Sequence, residues 1–186
     1  VEWIRAELKK PGSGGPRPFA VAEAKPETGK FGRAFDGAHG NKTLDGRDDF
    51  RTLPFTVECW VKLRSSHGFN IFVAHDQKSS CSHWELYSYA KDGDLSVYLP
   101  GRGGEFRSGV KITDNQWHHA AAQIETNRVR IYLDRKLVLD RPAKPLIGTP
   151  ANGPLVIGHL IEGNHGCDGL VDDVRISRGV RESVVP

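Results

Sequence analysis

The sequence predicts an all-β fold, an antiparallel β-sandwich. Short apolar runs recur about every 8–12 residues along the 186-residue chain, with turn-forming residues between them. Within these runs apolar and polar residues alternate, which is typical of a strand with one buried face. No stretch shows a convincing helical period. A chain of this length suits one sandwich domain with a substantial core.

Residues 1–30 are predicted to be a lead-in or linker segment ahead of this domain. Residues 3–10 are compatible with a short helix, which the Pro- and Gly-rich run 11–16 would end. The domain itself is expected to cover residues 31–186. Its first strand spans residues 32–37 and contains an Asp-Gly turn signal at its end.

The strand predicted over residues 55–63 shows the alternation most clearly. One face is apolar and the other is polar or aromatic, and the two sets are Phe55, Val57, Cys59, Val61 and Leu63 against Thr56, Glu58, Trp60 and Lys62. The other predicted strands cover residues 70–75, 83–90, 95–99, 117–125, 128–134, 137–139, 154–158 and 169–177. Residues 41–50 and 101–104 are expected to be turns. Since an antiparallel sheet can leave one face to water, its outer face is available for binding.

The last predicted strand contains an unusual carboxylate. Strict alternation places Leu170, Asp172, Val174 and Ile176 on one face, where apolar side chains are expected. A buried carboxylate needs a partner, because an unpaired buried charge costs several kcal/mol. That partner is either a bound cation or a set of backbone N–H groups.

Composition narrows the class of partner. The net charge of +3 argues against a dedicated nucleic-acid surface, which would show a basic stripe. No apolar run approaches the roughly 18 residues of a membrane span, and no signal peptide is recognisable. The chain starts at Val1 and contains no Met. We therefore expect a piece of a longer protein, with other domains of that chain among its partners.

The three cysteines fall in different settings. Cys59 lies within an apolar strand and is expected to be a small core side chain. Cys81 and Cys167 lie in polar loops, so a disulfide between them is one reading and two free thiols the other. A bridge would imply an oxidising compartment. A C-x-x-C zinc spacing is absent from the sequence.

Four segments in order resemble a known family. They are residues 35–37, 55–62, 116–134 and 155–176, with Phe-Asp-Gly in the first and Asp-Asp-Val-Arg-Ile in the last. Together they resemble the laminin-G-like, or concanavalin A-like lectin/glucanase, domains, particularly the bacterial branch attached to larger secreted proteins. The resemblance covers about residues 32–183. It departs from the family at Arg135, where Gly usually follows the Asp.

The resemblance implies a jelly-roll sandwich of two curved antiparallel sheets that binds glycans or proteins. It also implies an extracellular or periplasmic location. Related folds frequently hold one structural calcium through an acidic residue of the last strand, and Asp172 matches that position. Asp36 is a second candidate ligand, from the N-terminal strand. Calcium takes six to eight oxygen ligands, so other groups would complete such a site.

A catalytic role is not expected. Glycosidases of this fold place paired carboxylates on one strand, and retaining chemistry needs them about 5–5.5 Å apart. The Glu-x-Asp-x-x-Glu pattern of those enzymes is absent, and Glu85 and Glu58 are isolated. His118 and His119 alternate, so one is predicted to be packed and the other exposed. We therefore predict no catalytic residues.

Aromatic residues suggest a carbohydrate site. The rings predicted to share the non-core face are Trp60, Tyr87, Tyr89, Tyr98 and Tyr132. Aromatic rings stack on the apolar faces of sugars while nearby polar groups bind the hydroxyls. The candidate polar partners are Glu85, His119 and Arg130.

Two other interpretations remain open. The same rings serve equally well to cover the sheet or to contact a protein or a neighbouring domain. A third possibility is a rim site near Cys81 and Cys167, with Asp76 and Asp168 as ligands of a second cation. The loop residues of this rim are His75, Asp76, His165 and Asp168.

Overall fold

The computed structural model describes residues 4–5 and 27–181, and in this part of the chain it confirms the all-β prediction. Two antiparallel sheets pack on each other, and the described residues contain no α-helix. The strands are β1 Ile4–Arg5, β2 Glu27–Gly29, β3 Gly32–Asp36, β4 Lys42–Leu44, β5 Phe55–Leu63, β6 Asn70–His75, β7 Trp84–Ser88, β8 Asp94–Leu99, β9 Gly104–Lys111, β10 Trp117–Ile124, β11 Arg128–Leu133, β12 Lys136–Pro142, β13 Leu155–Ile157 and β14 Gly169–Arg178.

The larger sheet has the order β12-β11-β10-β5-β14-β3-β2, and the short strand β1 pairs with β14 as its eighth member. The smaller sheet has the order β4-β13-β6-β7-β8-β9. All the pairings are antiparallel. Strands that are distant in sequence are neighbours within each sheet, because the chain passes repeatedly from one sheet to the other. This topology fits the predicted jelly-roll sandwich.

The main core lies between the two sheets. The predicted apolar face of β5 is buried there, and it includes Cys59, which has no exposed surface. Opposite it pack Leu86 and Trp84 of β7 and Val97 of β8. Burying such side chains is the main favourable contribution to folding, at about 25 cal/mol per Å² of apolar surface.

Besides β1, three described strands were not predicted, namely β2, β4 and β9, and each is at an edge of its sheet. An edge strand has only one neighbour, and natural edges are kept short and polar. In β9 seven of the eight residues, all but Phe106, are partly or fully exposed. These segments therefore lack a clear alternation of apolar and polar residues. For that reason residues 41–50, which include β4, were predicted to be turns.

The lead-in segment predicted over residues 1–30 can be assessed at residues 4–5 and 27–30, and residues 27–29 form β2 of the larger sheet instead of a linker. Residues 4–5 form a strand whose Ile4 lies opposite Ile176 of β14, so the helix expected over residues 3–10 is wrong there. The rest of that expectation, and the linker over residues 6–26, lie outside the described residues.

A β-bulge interrupts β14 and changes which residues face the core. The register with β5 shifts between Asp172 and Arg175, and Asp173 has a positive φ of 48°. Val171 faces the core before the bulge, and Val174 and Ile176 face it afterwards. Strict alternation predicted that Asp172 shares the core face with Val174. This prediction is wrong, because the bulge adds one residue to the strand between them. The described residues contain no helix long and apolar enough to span a bilayer.

Candidate functional site

The predicted cluster of binding residues is divided between the two sheets. Trp60, His119, Arg130 and Tyr132 belong to the larger sheet, whereas Glu85, Tyr87, Tyr89 and Tyr98 lie on or beside strands of the smaller one. The prediction of one shared face is therefore wrong. Because the sheets pack face to face through the core, their outer faces point away from each other. Two separate surfaces result.

The outer face of the smaller sheet has a polar group at its centre. Glu85 on β7 lies directly opposite Tyr98 on β8, so their side chains are on the same side. Glu85 is only 2% exposed, and its Oε1 lies 2.8 Å from His83 Nε2 and 3.3 Å from Lys78 Nζ. The Lys78 ammonium also lies 5.4 Å from the centre of the Tyr98 ring. We call these four residues, Lys78, His83, Glu85 and Tyr98, the Glu85 cluster.

His83 fixes the protons in this cluster. Its Nδ1 lies 2.9 Å from the backbone oxygen of Asp76, which can only accept, so Nδ1 donates. Its Nε2 faces Glu85 Oε1, and that hydrogen bond also needs a proton. The hydrogen bond between His83 and Glu85 therefore shares one proton between the imidazole and the carboxyl group, and the Lys78 ammonium lies beside the same carboxylate oxygen. Glu85 is thereby oriented as a hydrogen-bond acceptor. His83 and Lys78 were not among the predicted site residues, although His83 and Glu85 alternate onto one face of β7 and its approach.

Aromatic residues continue this face beyond the Glu85 cluster. Tyr87 is 2% exposed beneath Leu160 and is not available for contact, contrary to prediction. The partly exposed ring of Tyr89 meets Phe69 edge to face at 5.2 Å, and the Arg107 guanidinium lies 3.8 Å from its centre. Burial is the largest of the causes that raise the pKa of Tyr87, so this phenol stays neutral. The loop between β13 and β14, which contains Leu160, therefore covers part of the predicted binding surface.

The outer face of the larger sheet has different partners for the predicted residues. Trp60 lies between His119, at 5.3 Å, and Phe31, at 5.7 Å between ring centres. Lys30 Nζ lies 4.7 Å from the Trp60 ring. The Tyr132 hydroxyl donates to Gln123 at 3.1 Å. Most of these groups are therefore engaged within the domain.

Arg130 and His119 are also engaged within the domain. Arg130 pairs with Glu125 and lies 3.6 Å from Asp140. His119 is buried with Nε2 3.4 Å from Glu58, as expected of one residue of the His118-His119 pair. Both positions therefore have structural partners.

The two carboxylates predicted to bind calcium have other partners. Asp172 accepts hydrogen bonds from the backbone amides of Phe31 at 2.9 Å and Asp173 at 2.7 Å. Asp36 accepts two from the Arg64 guanidinium, at 3.0 and 2.7 Å. Burial tends to raise the pKa of Asp36, but the bonds from Arg64, the Ala38 amide and His39 outweigh it and lower that pKa.

This donor set does not fit a calcium ion, because a guanidinium occupies one carboxylate and backbone amides the other. Calcium sites need oxygen ligands directed at a common point. Within the described part of the chain there is no group of three or more His, Cys, Asp or Glu residues that could hold a metal.

The proposed rim residues do not converge. Asp76 accepts from the Gln77 amide at 2.8 Å and from Ser82 at 3.1 Å, and His75 stacks on Trp84 within the core. Asp168 and His165, for their part, contact Ser65 and Phe69. A second cation between Asp76 and Asp168 is therefore not supported by their contacts.

All three cysteines are free thiols, so the predicted bridge between Cys81 and Cys167 is not formed. Cys81 donates to the backbone oxygen of Thr149 at 3.4 Å. Cys167 is buried, and a Cβ added at Gly37 would lie 2.6 Å from its Cβ. Burial is the largest cause that raises the pKa of the Cys167 thiol, so it is held neutral. No pattern in the sequence indicated that this loop cysteine packs against Gly37, directly after β3.

Comparison with known families supports this architecture. A sequence model of the concanavalin A-like lectin/glucanases superfamily matches residues 36–183. The chain belongs to that superfamily. No curated protein sequence matches the chain.

Solved structures share the lectin-like fold with this superfamily member. Domain 4 of AbnA, a GH43 extracellular arabinanase from Geobacillus stearothermophilus, in complex with arabinotriose, is similar at 20% identity and a TM-score of 0.68 over 91% of this chain and 79% of that one. The binding domain of Paraclostridial Mosquitocidal Protein 1 is similar at 15% identity and a TM-score of 0.67, over 88% and 44%. The receptor-binding domain of the botulinum neurotoxin C/D mosaic serotype is similar at 12% identity and a TM-score of 0.61, over 85% and 42%. The chain spans less than half the length of these two toxin domains.

Proposed function

We propose that this domain is a non-catalytic carbohydrate-binding module whose sugar site is the Glu85 cluster. The observation that carries the proposal is the pairing of Tyr98 with Glu85. A half-exposed ring offers an apolar surface, and the adjacent carboxylate is oriented by His83. Sugars present apolar C–H faces and hydroxyl groups side by side, so they need both kinds of contact.

The charged groups of the Glu85 cluster are suited to form hydrogen bonds with sugar hydroxyls. Both contacts to Glu85 are made by Oε1, and the described residues make no hydrogen bond to Oε2. A sugar hydroxyl could donate to that oxygen, while the exposed Lys78 could donate to another hydroxyl. The arabinanase domain in complex with arabinotriose supports a carbohydrate ligand by likeness of fold.

The carboxylate arrangement supports binding over retaining hydrolysis. Glu85 shares its row on the sheet with Glu105, and Tyr98 lies between them. Two strand spacings, about 9.6 Å, separate the backbones of the two glutamates, whereas retaining glycosidases hold their two carboxyl groups about 5–5.5 Å apart. We further propose that the module acts outside the cytoplasm, as part of a larger protein.

A binding screen tests the sugar site. The purified domain would be applied to a glycan array and titrated with arabinotriose by calorimetry, alongside Tyr98→Ala and Glu85→Gln. Tyr132→Ala on the opposite sheet is the matched control. We expect at least a tenfold loss of affinity in both cluster variants and none in the control. An array without signal for folded wild-type protein, or equal losses in all three variants, would contradict the proposal.

The surface around Phe31 favours a second candidate function. Phe31 is 58% exposed at the turn between β2 and β3, and it extends the ring pair that it forms with Trp60. An exposed aromatic beside a cation such as Lys30 is typical of protein contacts. If the glycan array stays blank, a shift in sedimentation on adding a neighbouring domain, lost in Phe31→Ala, would identify a protein-contact module.

A further inference from the structure

A pocket lined by residues of both sheets shares only His83 with the proposed sugar site. Its space amounts to about 280 Å³ when the solvent at its open mouth is included. Its wall is mostly apolar, and the residues of that wall are Leu53, Phe55, Trp84, Leu99 and Leu146. Arg51, Cys81, Ser82, His83 and Arg102 complete the lining.

Arg102 is the unusual member of this lining. It is only 3% exposed, and it donates to three backbone oxygens, from Nε to Lys144 at 3.2 Å and from Nη2 to Thr126 at 2.6 Å and to Glu125. Its remaining nitrogen, Nη1, is buried and has no hydrogen-bond partner. Nη1 therefore has two unused N–H donors, and Arg102 is one of the residues that line the pocket.

The charge of Arg102 is also uncompensated. No carboxylate of the described residues forms an ion pair with it, whereas Arg51 pairs with Asp48 at 2.6 Å. Burial lowers the pKa of Arg102, with no charged neighbour to offset it. Backbone oxygens satisfy hydrogen bonds, but they carry no net charge. A buried charge is normally paired, because removing it from water is costly.

We propose that this pocket binds a small monovalent anion, of the size of chloride, at Arg102 Nη1. The anion would accept from the two unused N–H groups and neutralise the guanidinium. The apolar wall favours a weakly hydrated, singly charged ion over sulfate or phosphate, because such an ion loses less hydration energy on entry. The carboxylate of an organic ligand has the same chemistry, and the experiment separates these two sources.

Thermal unfolding at constant ionic strength tests this site. Sodium chloride, bromide or acetate would replace sodium sulfate stepwise, for the wild type, Arg102→Met and Arg128→Gln. Arg128 is exposed, pairs with Asp140 and lies outside the pocket, so it is the matched control. A ligand bound only to the folded state raises the melting temperature with a saturable dependence on its concentration.

We expect a saturating rise of about 2–4 °C in chloride and bromide for the wild type and Arg128→Gln, and none for Arg102→Met. A rise in acetate alone would assign the site to a carboxylate ligand instead of a halide and overturn the halide assignment. Parallel responses of wild type and Arg102→Met would overturn the anion site.

Crystallography of the wild type provides a readout that does not depend on the variant folding. Crystals soaked in bromide are expected to show an anomalous peak within hydrogen-bond distance of Nη1. Density for a water molecule alone at Nη1 would overturn the proposal, whatever the melting curves show. Because neither readout involves a sugar, failure of the carbohydrate proposal leaves this test unaffected.

Discussion

The carboxylate of Asp172 accepts a hydrogen bond from the backbone amide of Phe31, across 141 residues of sequence. This contact holds the turn between β2 and β3 against Trp60, which lies opposite Asp172 on β5. Gly29 is part of the same arrangement, because a Cβ there would lie 2.5 Å from Asp172 Oδ2. The carboxylate thus has backbone N–H partners, one of the two alternatives that its position predicted.

Removing Asp172 is expected to destabilise the domain. Asp172→Ala leaves the amides of Phe31 and Asp173 without their acceptor, at a cost of about 1–3 kcal/mol in the free energy of unfolding. Urea denaturation followed by tryptophan fluorescence would measure it. Asp45→Ala, at an exposed position outside any described ion pair, is the control and should change stability by less than about 0.5 kcal/mol. An Asp172→Ala protein as stable as the control would refute this anchoring role.

The pair of His83 and Glu85 is expected to show strong energetic coupling. His83→Ala leaves the buried Glu85 carboxylate with Lys78 alone, so we expect a loss of about 3 kcal/mol in unfolding free energy. Glu85→Gln keeps the shape and removes the charge. A double-mutant cycle of His83→Ala and Glu85→Gln, measured by denaturant unfolding, isolates the pair. Additive losses would mean that the two side chains do not share a proton.

Stability is expected to depend on pH through His118. Burial tends to lower the pKa of His118, but hydrogen bonds to Asp134 at 2.8 Å and Asp114 at 3.1 Å outweigh it and raise that pKa above 6.5. The protonated form is therefore favoured in the folded state. Its stabilisation is fully present below the unfolded pKa and is lost as pH rises through the folded pKa.

Unfolding in urea between pH 5 and 9 would measure this dependence. Subtracting the pH profile of His118→Gln from that of the wild type removes the contributions of other groups. The difference should favour the wild type at pH 5 and shrink above neutrality. A difference that grows as pH rises would contradict the assignment.

Calcium removal is expected to leave the melting temperature unchanged. The carboxylates of Asp36 and Asp172 are occupied by a guanidinium and by backbone amides, so no folded-state stabilisation depends on the ion. Calorimetric melting with excess calcium, and again with chelator, measures this directly. A chelator-induced drop of several degrees would instead support the structural calcium that the family resemblance implied. Asp36→Asn and Asp172→Asn would then show which carboxylate binds it.

Local patterns predicted the strands but not the neighbours of their side chains. Alternation in 55–63 gave the correct core face of β5, because both sides of that strand are paired and one face is buried. It failed in β14, where the bulge after Asp172 depends on pairing with β5. It also could not assign Trp60 and Tyr98 to different sheets, since sheet membership is set by contacts between distant segments. Of the Glu85 cluster, the sequence pattern indicated only that His83 and Glu85 share one face of their strand.

The pairing of β1 with β14 places Ile4 directly opposite Ile176. Two positions 172 residues apart in sequence are thus neighbours on adjacent strands. In a circular permutant, a short linker could accordingly lead from β14 back to β1. Exposed Gly163, in the turn between β13 and β14, offers a place for new termini, next to the loop that covers Tyr87. Opening the chain there would free that loop and widen the aromatic surface without altering the order of strands in either sheet.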